Sequence, residues 1–327
     1  MKGRYPKVSI PRRFQLTAPE KRYYDVVLAG DWRKYGGPQK SMIEEIKALV
    51  NRGLSVAVLH LEAARFMTKT VDPLNDHIQG LINDGVVDEV LYDDTVAIKL
   101  LLLRYPPILQ FAPHKPSSLR VARMLITANQ APSELDGSDI RYIVGDCHKN
   151  AEFMFGAEVS WVPQGPQVRE AIEPYLDDAQ LMPFDFPGIL DPTVWKSDIP
   201  RKPVSKIPVI GRHSRDDKMK WPEHKQTLQE VYPFTGGLKV RIMGGGKTPL
   251  NVIGAESVPV NWEILARDSE PVQEFLKSLD FFVFYQHTDA VEAFGRSILE
   301  AIAANLVVIL PPHYEPVFGR AAVYAFP

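Results

Sequence analysis

We predict an α/β protein of two domains, each built on a parallel sheet, from three features of the sequence. The first is a strand, a loop, a helix and a second strand in succession between Asp25 and Glu62. The second is a proline-rich stretch from Leu181 to Ile207 without sustained periodicity, and the third is a return of alternating strands and helices from Pro208. Because the β-loop-α-β unit is the building block of parallel sheets, its recurrence on both sides of a linker predicts two such domains.

The first domain is predicted over residues 23–182, after a polar lead-in of residues 1–22. Strands are expected at 25–30 and 55–62, with an amphipathic helix between them at 41–53 that ends on a glycine. Five further segments have the apolar, β-branched composition of buried strands. They are residues 88–92, 108–113, 124–129, 142–147 and 157–163.

The second domain is predicted over residues 208–327, and residues 183–207 form the proline-rich linker. Its strands are expected at residues 208–211, 238–244, 260–266, 281–286 and 306–311. Helices are expected at residues 223–233 and 269–280 and around Glu300. This order again alternates strands with helices, as a parallel sheet requires.

The composition is that of a globular protein with almost no net charge. Of 327 residues, 45% are hydrophobic and 24% are charged, and the formal net charge is −2. Because proteins that bind nucleic acid through its phosphates usually carry a strong basic field, we expect no nucleic-acid partner. Cys147 is the single cysteine, so no internal disulfide forms and a reducing compartment such as the cytoplasm is indicated.

The sequence contains no apolar stretch long enough to span a membrane. Its longest aliphatic run, residues 97–103, is far shorter than the roughly 20 residues that a helical span needs. Basic residues cluster near the N-terminus: Lys2, Arg4, Lys7, Arg12 and Arg13. A solvated tail and peripheral contact with a membrane both explain this cluster. We therefore expect a cytoplasmic protein and leave open a place at the inner face of the membrane.

Two glycine-rich loops follow predicted strands. Gly36 and Gly37 precede the first helix, where backbone N–H groups and the helix dipole favour an anion, although an ordinary glycine turn is the alternative. The Gly244–Lys247 loop superficially resembles a phosphate-binding loop. We predict a flexible turn there, because no serine/threonine-plus-helix pattern follows it.

A basic loop, GRHSRDDKMKWP, follows the first strand of the second domain. Its cations outnumber its two aspartates, and they are Arg212, Arg215, Lys218 and Lys220. An arginine fork and a lysine at a strand end suit a diphosphate, whereas a solvated charged loop is the common alternative. Because ligands of parallel sheets bind at the carboxyl ends of the strands, the position of the loop favours the first interpretation.

A pair of glutamates lies in residues 281–312, which form a predicted strand, loop, apolar helix and strand. Glu292 lies in the loop, Phe294-Gly295 marks the turn, and Glu300 lies inside the helix. A carboxylate on an apolar helix is costly to bury unless it is paired or bound, so we expect a ligand rich in hydroxyl groups. The helix dipole is an alternative explanation for Glu292 but not for Glu300, which lies too far from the helix start.

The pattern E-A-F-G-x-x-x-x-E, with its alanine-rich helix and aliphatic strand, resembles the E-x7-E motif of retaining glycosyltransferases with the GT-B fold, nearest to family 4. The Gly-Gly loop and a G-R…K loop occur in the matching order. GRHSRDD…KWP together with EAFGRSILEA further resembles bacterial members that act in cell-envelope polysaccharide or glycoconjugate assembly. The resemblance covers both domains and is sharp from about Pro208. It implies two Rossmann-like domains that face a cleft, with the acceptor on the first domain and the nucleotide sugar on the second.

The resemblance also implies a role for each matching residue. Glu292 and the backbone of Phe294 and Gly295 would hold the donor sugar, and Glu300 the ribose. The donor diphosphate would be bound by Arg212, Lys220, the amides of Gly295, Arg296 and Ser297, and the loop at Gly36 and Gly37. Lys218 competes for the lysine role, because the spacing is longer than the common family pattern.

The chain departs from the family pattern in three respects. Asn305 replaces a small residue before the last strand, and His60, His114 and His148 are equal candidates for a histidine that many members carry, so none is assigned. The family's second domain usually continues beyond the point where this sequence stops, so we expect either a truncated second domain or a poor fit there. The resemblance implies no metal and no other cofactor.

We therefore expect a glycosyltransferase that moves a sugar from a nucleotide-diphosphate donor to a hydroxyl group of a glycan or another acceptor, with retention. A nucleotide-sugar epimerase of the same architecture and a non-catalytic nucleotide-sugar-binding protein are the alternatives. A catalytic base, the sugar, the base of the nucleotide and the oligomeric state are not predicted.

Overall fold

The computed structural model of the chain describes residues 23–66, 72–196 and 204–327. The predicted lead-in of residues 1–22, with its basic cluster, lies outside these ranges. The chain divides into two compact units. Unit 1 extends to Ile189 and also takes in Val291–Phe294, and unit 2 consists of Leu190–Ala290 and Gly295–Pro327. The proline-rich segment is therefore shared, since its first part belongs to unit 1 and the remainder to unit 2.

Unit 1 is built on a parallel sheet of seven strands within the described residues. The strands are β1 (Tyr23–Gly30), β2 (Val56–His60), β3 (Asp88–Val90), β4 (Ala97–Arg104), β5 (Arg120–Val121), β6 (Met124–Ala128) and β7 (Val159–Pro163). Their order is β3-β2-β1-β4-β6-β7, with β5 paired to β4. Because β1 lies between β2 and β4, the loop after β1 leaves the middle of the carboxyl edge.

Helices cover both faces of this sheet. They are α1 (Gly37–Asn51), α2 (Asp76–Asn83), α3 (Val144–Phe155) and α4 (Pro166–Ile172). Single 3-10 turns occur at Ala64–Phe66, Pro106–Leu109 and Glu173–Tyr175. Successive residues of β1 point to opposite faces of the sheet and belong to different core clusters, Val27 to one and Leu28 to the other. The sheet is therefore buried on both faces.

Two strand predictions in unit 1 are wrong, and one long strand was not predicted, besides the two-residue strand β5. Residues 108–113 overlap a 3-10 turn, because Pro106 and Pro107 lack the N–H groups that a strand needs. Residues 142–147 enter a helix instead, since α3 begins at Val144. The missed strand is β4, whose sequence AIKLLLLR is nearly continuous in apolar residues. Such a run is typical of a strand buried on both faces.

Unit 2 repeats the design on a parallel sheet of six strands within the described residues. The strands are β8 (Val209–His213), β9 (Lys239–Met243), β10 (Trp262–Leu265), β11 (Phe281–Val283), β12 (Val307–Leu310) and β13 (Val323–Tyr324). Their order is β10-β9-β8-β11-β12-β13. The prediction of two parallel-sheet α/β domains is thereby confirmed.

The helices of unit 2 are shorter. They are α5 (Pro192–Trp195), α6 (Lys225–Val231), α7 (Lys247–Ile253), α8 (Val272–Lys277), α9 (Arg296–Ala303) and α10 (Glu315–Phe318). Single 3-10 turns occur at Lys218–Lys220, Pro312–Tyr314 and Gly319–Ala321. In the part of the chain that the structure describes, every helix is too short or too polar to cross a bilayer.

Candidate functional site

The basic loop after β8 and the loop after β11 leave unit 2 at the same sheet edge, because these two strands are parallel neighbours. The loops also touch. The N–H of His287 donates to the carbonyl of Met219 at 3.4 Å, and the Thr288 hydroxyl donates to the Glu223 carboxylate at 2.6 Å. Both loops therefore lie at the same edge of the sheet, and this edge is the candidate site of unit 2.

Arg212 lies at the end of β8. Its side chain is fully buried, with 0% of the residue exposed, between the rings of Trp221 and Phe284 at 4.5 and 4.1 Å from their centroids. The guanidinium donates to the Tyr285 carbonyl at 2.6 Å and to the Ser214 hydroxyl at 3.2 Å. Cation–π contacts and these hydrogen bonds stabilise the charge without a carboxylate. The aromatic side chains enclose the guanidinium, and its predicted contact with a donor diphosphate stays a prediction.

The two candidate lysines lie on a single 3-10 turn, Lys218–Lys220, after the same strand. The Asp217 carboxylate caps this turn by accepting the N–H of Met219 at 3.0 Å. Lys218 is exposed and Lys220 is half-buried. The turn thus fixes the backbone of both lysines beside β8, and their roles toward a diphosphate stay predictions.

The glycine loop after β9 differs from the predicted flexible turn. Gly244 has φ +117°, and a Cβ there would lie 1.9 Å from the carbonyl oxygen of Ser214, so this close approach requires glycine. Helix α7 begins directly afterwards at Lys247. The Asp216 carboxylate accepts the first N–H groups of α7, from Lys247 at 2.7 Å and Thr248 at 2.9 Å. A side chain of the protein therefore occupies the position that a phosphate would take in a phosphate-binding loop.

The turn into α9 is built around Gly295, as predicted. Its φ is +83°, and a Cβ would lie 2.7 Å from Cδ1 of Ile298. The Gly295 carbonyl accepts the N–H groups of Ile298 and Leu299, which closes the first turn of the helix. The amides of Arg296 and Ser297 belong to that first turn, where N–H groups have no acceptor within the helix. Their contact with a phosphate stays a prediction.

Glu300 has basic partners inside unit 2. It is 5% exposed, and its Oε1 accepts a hydrogen bond from Nε of Arg296 at 2.9 Å. Its Oε2 lies 3.4 Å from Nε2 of His213. The Arg296 guanidinium already compensates the charge of the buried carboxylate, so a hydroxyl-rich ligand is not needed to explain its burial. Its role at a ribose stays a prediction.

The segment Val291–Phe294, which carries Glu292, belongs to unit 1 and is fastened there by its backbone. The N–H of Val291 donates to the Glu134 carboxylate at 3.0 Å, and the N–H of Glu292 donates to Oε1 of Gln167 at 3.1 Å. A Cβ on Gly165 would lie 2.2 Å from the carbonyl oxygen of Ala293. The two glutamates of the motif are thus held by different units and by different kinds of contact.

The Gly-Gly loop of unit 1 is already hydrogen-bonded within the protein. Gly36 donates its N–H to Oε1 of Gln39 at 3.1 Å, and Nε2 of Gln39 donates to the carbonyl of Asp31 at 3.0 Å. Both glycines have negative φ angles, and the space around Gly37 is open. The loop therefore permits the close approach of a ligand at Gly37, whereas the Gly36 amide is engaged.

Asp31 anchors this loop to the sheet. Burial alone would raise the pKa of its carboxyl group, but hydrogen bonds from Arg33 and from the N–H of Ala63 outweigh burial, and the net pKa lies below its usual value. The Arg33 guanidinium lies 2.6 Å from the carboxylate, and both side chains are buried. This ion pair keeps the Asp31 carboxyl group ionised at the carboxyl end of β1.

The three candidate histidines have different surroundings. Nδ1 of His60 accepts the N–H of Trp32 at 3.2 Å, and Nδ1 of His148 accepts the indole N–H of Trp161 at 3.1 Å. His114 is exposed. Among the residues that the structure describes, no group of three or more His, Cys, Asp or Glu is arranged to hold a metal ion.

Sequence reasoning missed several residues of this region. Arg296 lies four positions before Glu300, and this helical spacing could have predicted their ion pair. No local signal links Glu134, Gln167 or Gly165 to the glutamate segment, because more than 120 positions separate them from it. Contacts at such separations follow from the topology alone.

No protein-family model matches the chain, and no curated protein sequence is significantly similar to it. Solved structures are similar over most of its length. Anabaena HepE in complex with UDP and glucose is 12% identical, with 88% of this chain and 81% of that chain covered and a TM-score of 0.56. S. aureus TarM in complex with UDP, α-GlcNAc-glycerol and fondaparinux is 11% identical, with 88% and 85% covered and a TM-score of 0.56.

A third similar structure is an α-glucosyltransferase in complex with UDP and DNA. It is 13% identical, with 92% of this chain and 82% of that chain covered and a TM-score of 0.55. At such low identity the comparisons establish the fold alone. The two parallel-sheet units place the chain in the GT-B fold class, the class that the glutamate motif predicted.

Proposed function

We propose that the protein is a glycosyltransferase that uses a nucleotide-diphosphate sugar. The observation that carries the proposal is the similarity of 88% or more of the chain to GT-B structures with bound UDP. A UDP-linked sugar is accordingly the first donor to test. Fold likeness alone does not fix chemistry, so the proposal also depends on the residues at the carboxyl edge of the unit 2 sheet.

The donor diphosphate is proposed to bind Lys220 and the first-turn amides of α9. A departing diphosphate gains negative charge, and preorganised N–H groups and a cation stabilise it electrostatically. Arg212 contributes indirectly, because its guanidinium fixes the Tyr285 carbonyl at the start of the glutamate loop. Gly36 and Gly37 remain the proposed phosphate contacts of unit 1.

The two glutamates keep separate proposed roles. Glu292 and the backbone of Phe294 hold the donor sugar, and Glu300 accepts hydrogen bonds from the ribose hydroxyls. A carboxylate can accept about four hydrogen bonds, so Glu300 can retain Arg296 and still accept from a ribose. The E-x7-E resemblance supports retention at the anomeric carbon and kinship with family 4.

The acceptor is proposed to be a hydroxyl group of a glycan or glycoconjugate. The net charge of −2 gives no support to a nucleic-acid acceptor. A role in envelope polysaccharide assembly, at the cytoplasmic face of a membrane, is the setting that the sequence resemblance favours. The proposal needs no metal ion and no organic cofactor.

A thermal-shift screen against UDP-, GDP-, dTDP- and ADP-linked sugars tests the donor site. Stabilisation by one nucleotide class is expected, because a ligand that binds only the folded state raises its stability. Titration calorimetry of Glu300→Gln should then show about 10- to 100-fold weaker donor binding, since a charge-assisted hydrogen bond contributes roughly 1.5–3 kcal/mol. Glu256→Gln, an exposed unit 2 glutamate, is the matched control and should bind as wild type.

Unchanged donor affinity in Glu300→Gln would refute the ribose assignment. Stabilisation by none of the four donor classes would count against the whole proposal. Product analysis by NMR with and without acceptor separates transfer from epimerisation, since an epimerase needs no acceptor. Donor hydrolysis without acceptor would separate an enzyme from a binding protein.

A further inference from the structure

Three contacts of its backbone hold the segment Val291–Phe294 in unit 1, in addition to the packing of Val291 and Ala293 against the unit 1 core. Two consecutive N–H groups, those of Val291 and Glu292, donate to Glu134 and Gln167. The next carbonyl, that of Ala293, packs against Gly165. These contacts hold the two peptide groups before Glu292 and the peptide group after Ala293, so they restrict the direction in which the Glu292 side chain leaves the chain.

The carboxylate of Glu134 is itself held rigidly. Its side chain is 6% exposed, and Arg141 forms an ion pair with Oε1. Arg141 in turn donates to the Asp139 carboxylate at 3.1 Å and to the Ala131 carbonyl at 3.3 Å. The remaining oxygen, Oε2, accepts the N–H of Val291 at 3.0 Å. A charged acceptor makes a stronger hydrogen bond than a neutral one, so Glu134 is the stronger of the two amide acceptors.

Gly165 makes the third contact possible. It precedes α4, and a Cβ there would overlap the carbonyl oxygen of Ala293 at 2.2 Å. Its φ of −173° is extended backbone, which any residue adopts. Glycine is therefore required at this position because a side chain would not fit, and not because of the backbone conformation. The Ala293 carbonyl lies so close to the backbone of residue 165 that only glycine can be accommodated.

We propose that Glu134 is a positioning residue that acts through Glu292. It touches neither donor nor acceptor, but it orients the peptide that carries the donor-sugar glutamate, with Arg141 fixing its own orientation. The inference rests on the proposed function, because the direction of the Glu292 side chain matters only if Glu292 holds the donor sugar. Misplacement of a substrate-positioning group by about 1 Å can reduce a rate about 100-fold.

A double-mutant cycle tests this role. Glu134→Ala should reduce kcat about 10- to 100-fold in the wild-type background, with a smaller change in the donor KM. In a Glu292→Ala background the same substitution should change kcat less than about threefold, because the group through which it acts is already absent. Glu158→Ala, an exposed unit 1 glutamate, is the control and should leave both values unchanged.

The conservative variant Glu134→Gln keeps an acceptor oxygen for Val291 and should recover part of the lost kcat. If Glu134→Ala fails to fold, Glu134→Gln replaces it in the same double-mutant cycle. Equal losses of kcat from Glu134→Ala in both backgrounds would overturn the proposal, because the effect would not pass through Glu292.

Hydrogen exchange of the peptide that covers residues 285–296 gives a readout that is independent of activity. Glu134→Ala should remove protection from the amides of Val291 and Glu292, and Gln167→Ala should affect Glu292 alone. Unchanged protection would overturn the positioning role even in an active enzyme. Lost protection in a protein without transfer activity would leave Glu134 as an anchor of the segment and refute the proposed function instead.

Discussion

Glu292 and Glu300 lie eight positions apart in one sequence motif, yet the molecule holds them in opposite ways. The segment around Glu292 belongs to unit 1 and is fastened by its backbone amides to Glu134 and Gln167. Glu300 belongs to unit 2 and is held by its own carboxylate, which meets Arg296 and His213. The border between the units falls at the Phe294–Gly295 peptide. Regular spacing in a motif therefore does not imply a shared environment.

The contrast separates stability from positioning. A side chain whose own charge is compensated inside the core contributes to folding as well as to binding. A side chain that is held in place through hydrogen bonds of its backbone can be changed without losing those hydrogen bonds. We therefore expect substitutions of Glu292 and Glu300 to differ in how much they lower the free energy of unfolding.

Glu300→Ala should destabilise unit 2 by about 3 kcal/mol, because it leaves the largely buried Arg296 guanidinium without its carboxylate. Glu292→Ala should cost less than Glu300→Ala, since its backbone hydrogen bond to Gln167 is retained in the variant. Denaturant titration followed by hydrogen exchange in unit 2 peptides measures both effects. Equal losses at the two positions would remove the distinction.

Gly295→Ala should destabilise the start of α9 by about 1–3 kcal/mol. Its φ of +83° disfavours any residue with a Cβ, and the new methyl group would meet Ile298. Gly37→Ala is the matched control, because it also lies at a helix start but has a negative φ and open space around it. Gly37→Ala should stay within about 0.5 kcal/mol of wild type in thermal unfolding. A similar loss in both variants would show that helix starts in general, and not the Gly295 conformation, are sensitive.

The fold was predictable because its signals are local and repeated. Alternating apolar strands and amphipathic helices on both sides of a proline-rich stretch predicted two parallel sheets, and the structure confirms them. The errors occurred where local composition is ambiguous. The run that forms β4 is continuous in apolar residues, so its strand character depends on burial between β1 and β6. The residues at 142–147 are rich in β-branched and aromatic types but start a helix.

The site was less predictable, because charges interact over distances that a sequence does not show. The Gly295 turn and the helix around Glu300 followed from the motif. The enclosure of Arg212 by Trp221 and Phe284 did not, since the three residues meet only when the strands and loops are assembled. A hydroxyl-rich ligand was the expected explanation for the burial of Glu300, whereas the Arg296 guanidinium already pairs with it. A buried charge is evidence of a site only after its protein partners are known.

The loop that carries Glu292 is also anchored before it leaves unit 2, and this anchor should respond to acid. Thr288 donates its hydroxyl to Glu223 at 2.6 Å and its N–H at 3.2 Å. Partial burial alone would raise the pKa of Glu223, but the hydrogen bonds from Thr288 outweigh it and lower the pKa below its usual 4.5. A lowered folded-state pKa contributes stability that is present above the unfolded pKa and is lost as the pH falls through the folded value.

Thr288→Val should therefore cost less than about 0.5 kcal/mol at pH 6, because the site is partly exposed and screened. The difference between variant and wild type should shrink as the pH falls below 4.5 through the folded pKa of Glu223. Denaturant titrations at several pH values measure it, with Glu223→Gln as the control that removes the pH dependence. A difference that persists unchanged in acid would mean that Thr288 stabilises the loop by packing alone, and not through its hydrogen bonds to the Glu223 carboxylate.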